Sequence, residues 1–201
     1  EIKPILDIPE EIVLEITSRC NMNCKFCFNS FEKGSTELSS SYIKKILEHM
    51  KKIGIKVVRF SGGEPLLRED LIDLLSYAKS SGFDVRLNTN AVLINNKNIK
   101  ELEKYVDDIL VPVVSYCPVK EEKITGVKDS LNKKINALLI LKKSKISSVR
   151  VGTIATEDNI DNLDEIFDIV RKLKVDDWEV YMPVRKNKTE LNLSRKHVSL
   201  L

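Results

Sequence analysis

Three cysteines, Cys20, Cys24 and Cys27, fall within eight residues in the run Cys20-Asn-Met-Asn-Cys24-Lys-Phe-Cys27. A Cys-x3-Cys-x2-Cys loop can place three thiolates at three corners of a [4Fe-4S] cube, because thiolate is the preferred ligand of iron–sulfur clusters. A closed structural zinc site wants four ligands. The neighbourhood offers no fourth: Cys117 stands alone, and His49 and His197 are distant, each in a helix-like stretch. Three ligands on a four-iron cluster leave one iron open, and an open metal position is a place for chemistry. Structural zinc with a ligand from elsewhere remains the alternative.

The second feature is the turn Ser61-Gly62-Gly63-Glu64-Pro65, whose first glycine follows Cys27 by 35 residues. Paired glycines let backbone amides and carbonyls approach a ligand with no Cβ in the way. Glu64 adds a carboxylate that can accept from an ammonium group. By itself the turn reads equally as a strand-to-helix connection, with Pro65 at the helix entrance and Glu64 as an entry carboxylate.

The elements that must position these loops alternate regularly. Strands are expected at 12–17, 56–60, 84–88, 108–114, 148–154 and 178–182. Helices are expected at 39–53, 69–80, 98–105, 130–143 and 161–173, with Ile43, Ile46, Leu47, Met50 and Ile53 forming the apolar face of the first. Such alternation implies parallel strands joined by right-handed crossovers. Six units in 201 residues give about 33 residues each, a normal βαβ length. An eight-unit barrel needs about 250. Periodicity leaves open a doubly wound sheet or an incomplete barrel; in either, parallel strands deliver both loops to one face, where ligands bind. Pro112 inside the fourth strand predicts a bulge, and Asn159 and Asp161 read as caps of the fifth helix.

Composition narrows the class. Hydrophobic residues make up 42% of the chain and charged residues 31%, as in a globular domain able to bury a core. The 33 basic and 30 acidic side chains nearly cancel, at a net charge of +3, so neither nucleic acid nor an anionic membrane is an expected partner. The lysine-rich helix faces (Lys44, Lys45, Lys51, Lys52; Lys133, Lys134, Lys142, Lys143) read as solvated surface. No apolar run reaches the roughly 18 residues of a membrane span, and no signal peptide is evident, so a cytoplasmic location is expected. The six units form one domain over 1–185, and 186–201 reads as a polar tail or the start of a closing helix. The chain starts at Glu1 and leaves about 15 residues after the sixth strand, so it is expected to be a near-minimal core or one that has lost a C-terminal domain.

The cysteine loop with an aromatic before its last cysteine, followed by Gly-Gly-Glu-Pro, resembles the radical S-adenosylmethionine (SAM) superfamily. The likeness runs over about residues 12–185: Asn88-Thr89-Asn90-Ala91 ends the third strand where many members carry Thr-Asn-Gly, and Val113-Val114-Ser115 ends the fourth where members read Val-Ser-Leu-Asp-Gly. The resemblance implies an α/β fold, a (β/α)6 partial TIM-type barrel of parallel strands. It implies that Cys20, Cys24 and Cys27 ligate one oxygen-sensitive [4Fe-4S] cluster whose open iron is chelated by S-adenosyl-L-methionine. Phe26 would lie beside the adenine, Gly62, Gly63 and Glu64 would hold the methionine ammonium, and Asn88 and Ser115 would contact SAM. Arg150 and Met182 would complete the pocket, though strand carboxylates are competing partners for Arg150. The implied reaction is reductive cleavage of SAM to a 5′-deoxyadenosyl radical that abstracts hydrogen from substrate. The electron would come from a donor such as ferredoxin or flavodoxin.

Among relatives that read Gly-Gly-Glu-Pro-Leu-Leu here, peptide maturases and cofactor-biosynthesis enzymes set the leading substrate classes: a peptide or a small-molecule precursor. The alternatives are an activase that installs a glycyl radical on a protein partner and a non-catalytic metal- or SAM-binding module. Two departures stand out. Ala91 replaces a glycine, and Tyr116-Cys117-Pro118 replaces Leu-Asp-Gly at the barrel mouth. That puts Cys117 near the active face, where a thiol could donate hydrogen to a substrate radical; its other reading is a small buried hydrophobe.

Overall fold

The computed structural model describes residues 8–27 and 37–182, so the tail at 186–201 and His197 lie outside the described residues. Six parallel strands form one sheet: β1 (Glu11–Glu15), β2 (Val57–Ser61), β3 (Asp84–Asn88), β4 (Asp108–Pro112), β5 (Ser148–Ile154) and β6 (Asp177–Tyr181). They are joined through α1 (Ser40–Lys52), α2 (Leu71–Ser80), α3 (Ile99–Leu102), α4 (Pro118–Thr125), α5 (Ser130–Leu141) and α6 (Leu163–Leu173). The strand order is β1-β2-β3-β4-β5-β6, with every neighbouring pair parallel.

That order decides between the two architectures the periodicity allows. A doubly wound sheet reverses direction at its centre. Here each crossover advances one strand the same way, so right-handed connections put all helices on one face and the sheet curls away from them. β1 and β6 are the two edges of the sheet, which makes the barrel partial.

Alternation along each strand divides the core from the barrel interior. Val58, Phe60, Val85, Leu87, Ile109, Val111, Val149 and Val151 point outward and are buried with Leu47, Leu74, Leu75, Leu102, Leu138 and Leu141 from the helices. Burying Phe60 alone stabilises the domain by roughly 1.5–3 kcal/mol. α1 shows how the sequence builds one of these helices. The Ser39 hydroxyl caps it by accepting from the Tyr42 amide at 3.3 Å, Ile43 and Leu47 share its buried face, and Gly54 follows its end at φ +94°.

The alternate, inward positions carry a belt of charges that crosses the sheet. Glu11 on β1 accepts from Arg59 on β2 at 2.5 Å and from Arg86 on β3 at 2.8 Å. Asp108 on β4 accepts twice from Arg150 on β5, at 2.6 Å each, and Arg150 also pairs with Glu179 on β6. These pairs floor the barrel below the strand ends that carry the loops.

Several local expectations change. α3 is one turn rather than the eight residues of 98–105, and α4 was not expected at all. Pro112 causes no bulge: β4 pairs with β5 in unbroken register from Asp108↔Ser148 to Pro112↔Gly152, and the proline is the last strand residue. Asn159 stands at the N-cap position of the short turn Ile160–Asn162, but its side chain makes no capping bond. Its side chain is buried, donates to the carbonyls of Val114 and Ile154 at 2.8 Å each, and accepts from the Thr156 amide at 2.7 Å, stitching the ends of β4 and β5. Ala91 sits at φ +63°, where the αL conformation explains why a glycine would be at home.

Candidate functional site

The cysteine loop leaves β1 at its C-terminal end and is laced to three other segments through backbone hydrogen bonds. The Gly63 amide donates to Thr17 and the Glu64 amide to Arg19, both at 2.7 Å. The Asn23 and Lys25 amides donate to the carbonyls of Thr125 and Ile124, both at 3.0 Å, which are orphan acceptors at the end of α4. Asn90, past β3, donates through Nδ2 to Asn21 Oδ1 at 2.7 Å. Arg68 anchors the start of the segment, giving Nη1 to the Ile16 carbonyl at 2.6 Å while its other nitrogens clasp Asp70.

The glycine turn is shaped by this lacing. A Cβ on Gly62 would lie 2.4 Å from the Thr17 carbonyl oxygen, and one on Gly63 would lie 2.2 Å from that of Arg19. Only glycine lets the end of β2 press against the start of the cysteine loop. Gly62 also has φ +132°, outside the range of ordinary side chains.

Cys20, Cys24 and Cys27 line one cavity of about 220 Å³ together with Met22, Phe26, Gly62, Gly63, Asn88 and Lys134. Its far wall is Leu110, Pro112, Gly152, Ile154 and Tyr181, drawn from the C-terminal halves of β4, β5 and β6. A larger hollow of about 630 Å³ lies at the opposite ends of β3–β5, but its lining is mutually paired charge such as Lys79–Asp107 and Arg150–Asp108, with no thiol. Chemistry, not size, picks the smaller one. Burial pushes the Cys24 thiol up to about 11, opposed by the nearby Lys134 cation, and burial also raises Cys20, opposed by the Met22 amide. Among the described residues no three His, Cys, Asp or Glu side chains converge on a single-ion site.

Other expected site residues fall in different places. Asn88 lines the cavity, and its Oδ1 accepts from Arg59 at 3.1 Å. Glu64 is fully buried behind the turn and accepts from the Leu66 amide, the Thr89 hydroxyl and the Asn90 amide at 3.0, 2.6 and 2.7 Å. Burial raises its pKa against those three bonds. Ser115 is buried beside the cavity wall rather than in it, its hydroxyl accepting from the Cys117 amide at 3.1 Å. Arg150 is engaged in the belt with Asp108 and Glu179, and Met182 is 53% exposed past the end of β6, where Tyr181 supplies the wall. Cys117 precedes α4 at its N-cap and does not line the cavity.

The residue that sequence reasoning misread is Lys134. It is not solvated surface but 1% exposed, donating to Glu121 at 2.6 Å. Glu121 is itself 0% exposed, and its second oxygen accepts from the Val114 and Ser115 amides at 3.1 and 2.7 Å. A buried lysine needs such a partner, because an unpaired charge in this setting would neutralise. The signal was present: Lys134 falls between Leu131 and Leu138 on the apolar face of α5, three and four residues from each.

Three comparisons bear on this arrangement. The sequence model of the family described as the Radical SAM superfamily matches residues 14–175. The chain is 31% identical over 179 residues to a PqqA peptide cyclase of Bradyrhizobium diazoefficiens, covering 86% of this chain and 46% of the relative. It is 30% identical over 165 residues to a probable GTP 3′,8-cyclase of Methanococcus maripaludis, covering 80% and 54%. The chain thus spans about half the length of the curated relatives it matches. In fold it superposes on SuiB of Streptococcus suis bound to S-adenosylmethionine with a TM-score of 0.81 at 20% identity, covering 96% of this chain and 46% of that one. It also superposes on anSMEcpe bound to AdoMet and a Kp18Cys peptide, with a TM-score of 0.79 at 16% identity, covering 93% and 56%. No helix among the described residues is long and apolar enough to cross a membrane.

Proposed function

The chain belongs to the radical SAM superfamily, and from that premise we propose that it binds one [4Fe-4S] cluster and one S-adenosylmethionine at the cavity lined by Cys20, Cys24 and Cys27 and performs radical chemistry on a peptide. The observation that carries the reading is the convergence of three thiols and a clash-limited glycine turn on one cavity at the C-terminal strand ends. The donor set suits the cluster: three sulfurs from one loop and, among the described residues that line the cavity, no His, Asp, Glu or fourth Cys.

When bound, the reduced cluster supplies the electron that breaks the sulfonium carbon–sulfur bond and so frees a carbon radical for hydrogen abstraction. The chain's own part is binding, orientation and exclusion of water. The backbone of Gly62 and Gly63 would accept from the methionine ammonium, while Glu64, its oxygens already occupied, holds the turn rigid against Thr89 and Asn90. Lys134 presents the one cation among the described residues lining the cavity, which suits the methionine carboxylate. Phe26 offers a face for the adenine and Asn88 a hydrogen-bonding edge; Ser115 and Arg150 act from behind, through the end of β4 and the charged floor. Leu110, Pro112 and Ile154 keep the reacting region apolar.

A peptide substrate is favoured by the PqqA peptide cyclases among the relatives. The GTP 3′,8-cyclase relative supports a second reading, a small-molecule precursor in cofactor biosynthesis. The test is anaerobic reconstitution with iron and sulfide, reduction, addition of SAM and chromatographic detection of 5′-deoxyadenosine. Its appearance with four irons per chain supports the reading, and tightly held zinc with no iron overturns it.

A further inference from the structure

We infer that the exposed face of α4, with the lysines that flank it, is the docking surface for an acidic one-electron carrier protein that reduces the cluster. The inference rests on the reading above and adds to it the place where the electron enters.

α4 is the element packed directly against the cysteine loop, since its last two carbonyls accept from Asn23 and Lys25 on either side of Cys24. Its buried side is Glu121, Ile124 and Thr125. Its open side carries Lys120 and Lys123, one turn apart, around Val119, which at 76% exposure is the most exposed large hydrophobic among the described residues. Lys25 lies beside Ile124 through the loop pairing, and Lys128 and Lys133 adjoin the helix end, with Lys133 Nζ donating to the Lys128 carbonyl at 3.1 Å. All five lysines are exposed. Glu122 and Asp129 are interspersed on this surface, Lys120 Nζ donates at 3.1 Å to Asn162, which itself donates to Glu165, and Glu121 is spent on Lys134. On α4 itself the exposed charges are Lys120 and Lys123 with Glu122 between them.

The chemistry beneath gives this charge a purpose. Cys20 and Cys27 are exposed and Cys24 is half-buried, in the loop whose amides on either side of Cys24 pair with the end of α4. No step of the proposed reaction generates the electron, so it must come from outside the chain. Exposed lysines with an apolar side chain among them recognise a small acidic protein, through steering by charge and a short desolvated contact by Val119. In the transfer the carrier loses one electron, the cluster gains one, and no bond is made or broken.

Flavodoxin hydroquinone is the probe, and the variant is the double charge reversal Lys123→Glu/Lys128→Glu, at two exposed residues outside the cavity. The control is Lys52→Glu/Lys56→Glu, the same charge change at the other end of the barrel. Stopped-flow bleaching of the cluster by flavodoxin should slow on the order of tenfold in the α4 variant at low ionic strength, with the salt dependence of the parent largely lost. Reduction by dithionite, iron content and 5′-deoxyadenosine formation under dithionite should match the parent. Fluorescence anisotropy of oxidised flavodoxin, which needs no cluster, should show affinity lowered by a similar factor. Equal behaviour of the α4 variant and the control, or a parent rate indifferent to salt, overturns the inference. Failure of the family reading looks different: no cluster forms and no 5′-deoxyadenosine appears in any variant.

Discussion

Replacing Gly63 by alanine probes the seam on which the site depends, without touching a cysteine. The added methyl would sit 2.2 Å from the Arg19 carbonyl oxygen, 2.7 Å from its carbon and 3.0 Å from the Ser18 carbonyl oxygen, all backbone atoms with no flexible end to yield. Carbon–oxygen contacts of this kind need roughly 1 Å more, so the cysteine loop must separate from the end of β2. That separation stretches the two 2.7 Å hydrogen bonds, Gly63 to Thr17 and Glu64 to Arg19. Each is worth about 0.5–1.5 kcal/mol and the overpacking about 1–3, a total of roughly 2–6 kcal/mol. For a domain of this size the melting temperature should fall on the order of 10 °C. Cluster affinity should fall on the order of 10–100-fold, as for other losses of support behind metal ligands. Gly82→Ala is the comparison: its φ is +82° but the nearest atom is the mobile Lys51 Nζ at 3.1 Å. It should lose about 1–2 kcal/mol and no iron. Melting curves and iron analysis on both variants decide the matter. A Gly63→Ala protein with the parent's melting temperature and full iron would refute the reasoning.

Lys134→Met should cost about 3–5 kcal/mol in urea unfolding because it leaves the Glu121 carboxylate buried without its cation, whereas Lys134→Met/Glu121→Gln should recover much of that stability. Both should bind SAM more weakly by equilibrium dialysis, which separates the cofactor role from the structural one. Asp70 is held down to about 2 by the Arg68 guanidinium, against about 3.9 for a free aspartate. A depressed carboxylate stabilises fully above the unfolded value and progressively less as pH falls toward the folded one. Denaturation midpoints should therefore show Asp70→Asn losing about 1 kcal/mol at pH 6 after allowance for solvent screening, and little at pH 2. Cys24→Ala should abolish cluster assembly by iron analysis, while Cys117→Ala, outside the cavity, should retain it.

The strands were legible because buried parallel strands read as β-branched runs, and the cysteine loop because its chemistry is packed into eight residues. α4 was not: PVKEEKIT has no clear apolar stripe, and its helix is held by Glu121 through tertiary hydrogen bonds and by the cysteine loop at its end. Lys134 was misread by residue type, although its position on the face of Leu131 and Leu138 argued for burial. Glu64 and Arg150 show a different limit. Their side chains were expected at the cofactor, but strand register brings Thr89 and Asn90 to one and Asp108 and Glu179 to the other. Those partners are 25 to 42 residues away in sequence, beyond what local spacing can reveal.

The central claim is that three thiols on one loop hold a four-iron cluster with one iron left for SAM. Mössbauer spectroscopy of the 57Fe-reconstituted protein, with and without SAM, tests it most directly. The account predicts that one iron in four changes its environment when SAM is added while the other three do not. Four irons indifferent to SAM, or thiols occupied by a single zinc ion, would contradict it.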